Sequence, residues 1–314
     1  MQGLVKYHGL KDWNLRIPYH DSISVNLEAL WTKTTVAFGD FEDDSIEING
    51  VKRTGRVLQR TLSVIDQIRK IGGIDDKVNV ISENSMGFGE YKGLGFSSSA
   101  GAALATAAFK AAGLDKKYGW DLRLISRIAR RLAGSACRSV AGEYSRWYAG
   151  DSDETSYAEK IATRENLDMG IVIVPLGDDL STESAHKDVE SSAFFAARLQ
   201  TAQKRCEEMQ KAILAGDFER VGELSEIDAL ELHAVTMTGK GKLVLFRSES
   251  IAVIREVRKI RTEGIQVYFS MQTGPSVFLD TYPEEIDEVA HRIGKLGLRT
   301  VVSRVGKESQ IVSS

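Results

Sequence analysis

The sequence predicts an α+β fold built on mixed and antiparallel sheets. Three observations carry this expectation. Short strands with polar–apolar alternation crowd residues 22–84. Strand and helix patterns interleave through the rest of the chain. Neither a Walker loop nor a GxGxxG fingerprint follows a strand, so the signature of a doubly wound parallel sheet is missing.

The elements run in order. SISVNLEAL (22–30) and TTVAFGDF (34–41) read as half-buried strands, and SIEING (45–50) ends in the Asn-Gly pair that favours a hairpin. A helix over 54–71 places Val57, Leu58, Leu62, Ile65, Ile68 and Ile71 at helical spacing. VNVISEN (78–84) is a strand. A glycine-rich passage, NSMGFGEYKGLGFSSSAG (84–101), then feeds a small-residue helix, AALATAAFKAAG, and an arginine-rich helix is expected near 120–133. The second half opens with a polar run, GDSDETSYAEK, and a continuous apolar strand, MGIVIVPL (169–176). Helices are expected near 189–214, 217–238, 248–263 and 284–296. The strands IQVYFSM (265–271) and RTVVSRV (299–305) are interleaved with them. We expect two lobes, 1–175 and 176–314.

Composition narrows the function. The 314 residues carry a net charge of −3 and no long basic run, which gives no reason to expect nucleic acid as a partner. No 18-residue apolar run occurs, so no membrane span is expected. Cys137 and Cys206 form neither a disulfide framework nor a metal spacing, and a reducing, cytoplasmic compartment fits. Five scattered histidines show no HExxH pairing, so no metal site is expected. His8 and His20, each alone, are expected to be structural or exposed. Arg127, Arg130 and Arg131 read as a solvent face, and Asp43–Asp44 as a solvated turn.

Two stretches suit an anion. In KGLGFSSSAGAALATAA (92–108), a turn with Gly93 and Gly95 would aim backbone N–H groups at a phosphate. Ser97, Ser98 and Ser99 add hydroxyl donors. The competing account is a serine cap on a close-packed helix. In GSACRSVAGEYSRW (134–147), one arginine stands among small residues. If the stretch is helical, Ser135, Arg138 and Ser139 share a face suited to a carboxylate or phosphate. The competing account pairs Arg138 with a structural acid.

The GLGFSSSAGAALA loop resembles the phosphate loop of the GHMP small-molecule kinase superfamily. LVKYHGLKDWNLRIPYHDSISVNL (4–27) resembles the KYWGK…PxxxSISVTL opening of the diphosphomevalonate decarboxylases, and GSACRS matches a signature of that branch. DFERVGELSEIDALELHAVTM (217–237) and YFSMQTGPSV (268–277) resemble its later helix and its FDAGPN-type turn. The resemblance implies a GHMP-type two-lobed fold with helices packed on one side, a deep cleft between the lobes, and a homodimer. It implies a decarboxylation coupled to loss of a 3-phosphate from a mevalonate derivative. By position, Arg138 would hold the substrate's carboxylate or phosphate, with Ser135 and Ser139 beside it. Ser98 would lie by the tertiary phosphate. Lys6 and Tyr7 would border the distal phosphate, and Ser22 the substrate cleft.

Four departures stand out. Leu10 replaces the second lysine of KYWGK. Gln272 replaces the aspartate that helps deprotonate the 3-hydroxyl, and an amide cannot serve as that base. Glu90, Tyr91, Lys92 and Phe96 crowd a phosphate loop that lacks the usual proline. The segment with the family's active-site asparagine would lie mostly before Met1. Together they point to a branch, found in thermoacidophilic archaea, that acts on mevalonate 3,5-bisphosphate without ATP and needs no cofactor. The alternatives are an ATP- and Mg2+-dependent phosphomevalonate or diphosphomevalonate decarboxylase, a kinase of the same fold, and a ligand-binding protein that has lost catalysis.

Overall fold

The computed structural model describes residues 1–86, 91–177 and 182–312. The chain begins with strands β1 (Gln2–Val5), β2 (Leu10–Asp12), β3 (Ile17–Pro18), β4 (Ser22–Val25), β5 (Thr32–Gly39), β6 (Ser45–Ile48) and β7 (Val51–Arg53). Next come α1 (Gly55–Gly72), β8 (Lys77–Asn84), α2 (Phe96–Ala111), α3 (Leu114–Tyr118), α4 (Leu122–Arg130), α5 (Ala136–Ala141), β9 (Tyr144–Tyr148) and β10 (Tyr157–Ala162). The remainder holds β11 (Gly170–Val174), α6 (Thr182–Asp188), α7 (Phe195–Ala215), α8 (Phe218–Met237), α9 (Ser248–Thr262), β12 (Val267–Met271), β13 (Val277–Thr281), α10 (Ile286–Gly294) and β14 (Val301–Arg304).

Three four-stranded sheets result: β1-β4-β9-β10, β5-β8-β6-β7 and β12-β13-β11-β14. Only the β6–β8 pairing is parallel among these, which gives the expected mixture. Asn49 and Gly50, both at positive φ, turn β6 into β7 as the Asn-Gly pair predicts. α1 buries Val64, Ile65 and Ile68 in a core shared with Val78 and Val80 of β8 and with α2.

Helices cover one face of β5-β8-β6-β7, as expected. The C-terminal sheet differs, because it is covered on both. Ile171 and Ile173 of β11 pack with Met209, Phe218 and Val221. Their neighbours Val172 and Val174 pack with Val253, Val257 and Ile260 of α9. Two buried faces explain why MGIVIVPL is apolar throughout.

Other expectations shift. The helix read over 189–214 begins later, as α7, after a turn of 3₁₀-helix at Val189–Ser191, and a separate helix, α6, precedes that turn where none was expected. Arg130 is not on a solvent face: it is fully buried and pairs with Asp153 and the Ser156 carbonyl. Asp44 is not simply solvated, since it accepts from Arg69 at 2.6 Å and from the Val78 N–H at 2.9 Å.

Two packing features fix the helices around the anion-suited stretches. α2 and α5 touch closely: a Cβ on Gly101 would lie 2.6 Å from the Ala136 Cβ. Beyond β14, residues 305–309 strap back over this helix pair. Asn26 Nδ2 donates to the Lys307 and Ser139 carbonyls at 2.9 and 3.0 Å, and the Gly306 N–H donates to the Asn26 carbonyl at 2.8 Å. Thr106 donates to Ser309 Oγ at 2.7 Å. Among the described residues, no helix is long and apolar enough to cross a membrane.

Candidate active site

A cavity of about 520 Å³ opens where α2, the start of α5, β1 and the turn after β12 converge. Eight of the sequence-predicted residues form part of its wall: Lys6, Tyr7, Gly93, Gly95, Ser97, Ser98, Ser135 and Gln272. Gly95 caps α2 at φ 77°, and a Cβ there would come within 2.7 Å of the Met1 carbonyl oxygen. Both the left-handed backbone and the close approach require glycine. The Ser98 and Ser135 hydroxyls hydrogen-bond each other across the α2–α5 junction. One such bond uses one hydroxyl hydrogen and leaves the other free to donate. Ser99 faces elsewhere, tying α2 to β5 through Thr32 Oγ1 at 2.7 Å.

Arg138 lies behind the wall. It is fully buried on α5, and none of its three guanidinium nitrogens has a hydrogen-bond partner. Its carbon is 5.7 Å from the Tyr7 ring centre. The structural acid of the competing account is absent from its reach among the described residues. Arg130 shows the contrast, because its buried charge meets Asp153. An unpaired buried charge is costly, by several kcal/mol. Ser22 and Ser139 are also buried with unpartnered hydroxyls, and neither reaches the cavity wall.

Burial, reinforced by the Arg138 charge, lowers the Lys6 pKa to about 7. Its ammonium lies 5.1 Å from the Tyr7 ring centre. The Lys6 peptide is held from the C-terminal helices. Asp228 accepts its N–H and Arg198 donates to its carbonyl, each at 2.8 Å, and Arg198 also pairs with Asp228 at 2.7 Å. Leu10 is in the wall, whereas Lys11 points away to Asp151 at 2.5 Å. Gln272 Nε2 donates to the Met1 carbonyl at 2.8 Å. Burial pushes the Cys137 thiol up to about 12, which leaves it inert as a nucleophile. Tyr91, Lys92 and Phe96 line the cavity, and Glu90 lies outside the described residues.

Sequence reasoning missed several wall residues. Thr273 adds a buried, unpartnered hydroxyl beside Gln272. Arg16, Arg60 and His186 also face the cavity. No local pattern marks them, because three separate segments bring them together. His8 and His20 are structural: His8 bonds Thr236 Oγ1 at 3.0 Å and His20 the Asp21 carbonyl at 2.6 Å. Among the described residues, no cluster of three or more His, Cys, Asp or Glu side chains could hold a metal ion.

The profile of the diphosphomevalonate decarboxylase-like N-terminal domain matches residues 1–158, and that of the mevalonate 5-diphosphate decarboxylase C-terminal domain matches 178–309. The chain belongs to the diphosphomevalonate decarboxylase family. It is 39% identical to the phosphomevalonate decarboxylase of Haloferax volcanii, over 99% of this chain and 95% of that protein. The mevalonate diphosphate decarboxylase of Staphylococcus aureus superposes with a TM-score of 0.92 at 29% identity, covering 99% of this chain and 95% of that one. That of Enterococcus faecalis, described with mevalonate diphosphate-mediated ATP binding, gives 0.87 at 28% identity over 98% and 96%. These decarboxylases share the GHMP-type α+β architecture of this chain.

Proposed function

We propose that this member of the family decarboxylates mevalonate 3,5-bisphosphate without ATP, giving isopentenyl phosphate, phosphate and carbon dioxide. One observation carries the reading. Among the described residues of the cavity wall the only carboxylate is Glu183, and it is paired with Arg56. Where the family's base would stand, Gln272 offers an amide. The Gln272 amide takes no proton from a 3-hydroxyl, so a substrate already phosphorylated on that oxygen suits the site.

The chemistry then needs no base. The C3–O bond breaks and its electron pair leaves with phosphate. The C1–C2 bonding pair becomes the C2=C3 double bond, and carbon dioxide departs. Ser98 and Ser135 supply a hydroxyl donor to the leaving phosphate, the α2 N–H groups add their field, and Arg138 stabilises the anion from behind.

A second reading, ATP-dependent decarboxylation of mevalonate 5-phosphate, is supported by the Haloferax volcanii relative and by ATP binding in the Enterococcus faecalis enzyme. The glycine turn before α2 suits a nucleotide phosphate, but the described residues of the wall offer no free carboxylate for Mg2+. Carbon dioxide release from mevalonate 3,5-bisphosphate, with and without ATP and Mg2+, separates the two. We expect turnover without nucleotide, no turnover of mevalonate 5-phosphate plus ATP, and no gain for the bisphosphate in Gln272→Asp. A strict ATP requirement overturns the first reading. The same reading includes a homodimer, which sedimentation of the purified protein tests.

A further inference from the structure

His186 reaches the cavity from α6, an element with no part in the proposed decarboxylation chemistry. Its Nδ1 accepts the Gly9 N–H at 3.2 Å. A ring nitrogen that accepts carries no proton, so the neutral imidazole holds its hydrogen on Nε2. The ring lies flat on Tyr7, with centroids 4.9 Å apart and planes 10° from parallel. Among the described residues no acceptor meets Nε2. Burial, with Lys6 and Arg16 nearby, lowers the His186 pKa to about 3, so the ring stays neutral at neutral pH. The adjacent His8, 4.7 Å away, is already committed to Thr236.

We propose that His186 is a specificity-determining residue, donating its Nε2–H to the distal phosphate that Lys6 and Arg16 attract. Tyr7 and Gly9 together fix the donor's direction: one by stacking, the other by setting the tautomer. A neutral donor adds a directed bond without a further positive charge. That complements Leu10, which removes a cation from the same wall, and it suits a monophosphate better than a diphosphate. The identity of the phosphate-bearing molecule rests on the proposed decarboxylase reading, whereas the donor geometry does not.

The test compares wild type with His186→Phe, which keeps a flat ring on Tyr7, and His186→Gln, which restores an N–H donor. Calorimetry uses mevalonate 5-phosphate and mevalonate as probes. We expect His186→Phe to bind mevalonate 5-phosphate about tenfold more weakly, the size of one net hydrogen bond to a charged group, with mevalonate unaffected. His186→Gln should recover most of the loss. In 15N-histidine-labelled protein, an Nε2–H resonance absent from His186→Phe should move downfield on adding mevalonate 5-phosphate or inorganic phosphate. Equal weakening toward both probes, no recovery in His186→Gln, an unmoved resonance, or a wild type that binds neither phosphate would each overturn the inference. A wild type that binds phosphate through His186 but releases no carbon dioxide would instead remove the decarboxylase reading and leave the donor in place.

Discussion

At the scale of single residues, Arg138 and Arg130 form a natural comparison. Both are fully buried, but only Arg130 has an acid. Stability and function therefore oppose each other at position 138. Replacing a buried, unpaired charge by an apolar chain of similar length is neutral or stabilising, by about 1–4 kcal/mol. Arg138→Met should raise the melting temperature while lowering turnover by roughly tenfold, about 1.4 kcal/mol of lost electrostatic stabilisation of the leaving anion from behind the wall. Thermal unfolding and initial rates on the same preparations check this, and a lower melting temperature would mean that the guanidinium has a structural partner. The small residues flanking Arg138 in GSACRS mark it as unusual, but nothing in that pattern shows that it lies behind the cavity wall rather than in it. His186 carries no such mark. A lone histidine in TESAHKD becomes a donor only when Tyr7 and Gly9, distant in sequence, meet it.

At the scale of elements, the contact between α2 and α5 sets the spacing between phosphate loop and arginine. The helix that carries Ser98 and the one that carries Arg138 meet where Gly101 faces Ala136. A methyl on Gly101 must displace a rigid Cβ, and overpacking of this kind costs about 1–3 kcal/mol. Gly101→Ala should therefore push α5 outward, weaken the Ser98–Ser135 hydrogen bond and reduce kcat more than its stability loss explains. Denaturant unfolding beside steady-state kinetics measures the two effects, and unchanged kcat would show that α5 is free to shift without consequence. The small-residue character of both helices was readable. The pairing of β9 with β10 was not, because Tyr157–Ala162 comes after a run of polar residues and exposes part of its length. Its Glu159 faces Arg123 on α4, so the pattern there obeys an ion pair rather than alternation.

At the scale of the whole molecule, burying histidines ties the fold to pH. The pKa of His20 and of His233 falls to about 4 and that of His186 to about 3, in each case chiefly through burial. Each folded value lies below the unfolded one, near 6.5, so the unfolded chain takes up more protons as pH falls through that window. The stability contributed by these histidines is complete above about pH 6.5 and declines toward pH 4, by about 1.4 kcal/mol per pH unit for each. Asp280 acts in the opposite sense. Burial raises its pKa to about 7, so its burial penalty is relieved as pH falls from about 7 toward 4, which offsets the decline due to one of these histidines. His233→Phe should flatten the dependence of unfolding free energy on pH between about 4 and 6.5, and an unaltered slope would show that this ring is not held neutral. The fold class itself was readable from alternation and turns, while the double cover of the C-terminal sheet depended on distant helices. The strap at 305–309 makes the helix pair answerable to a remote segment: the Thr106–Ser309 hydrogen bond joins residues 203 positions apart, so a change in either partner is felt at both ends of the chain's fold.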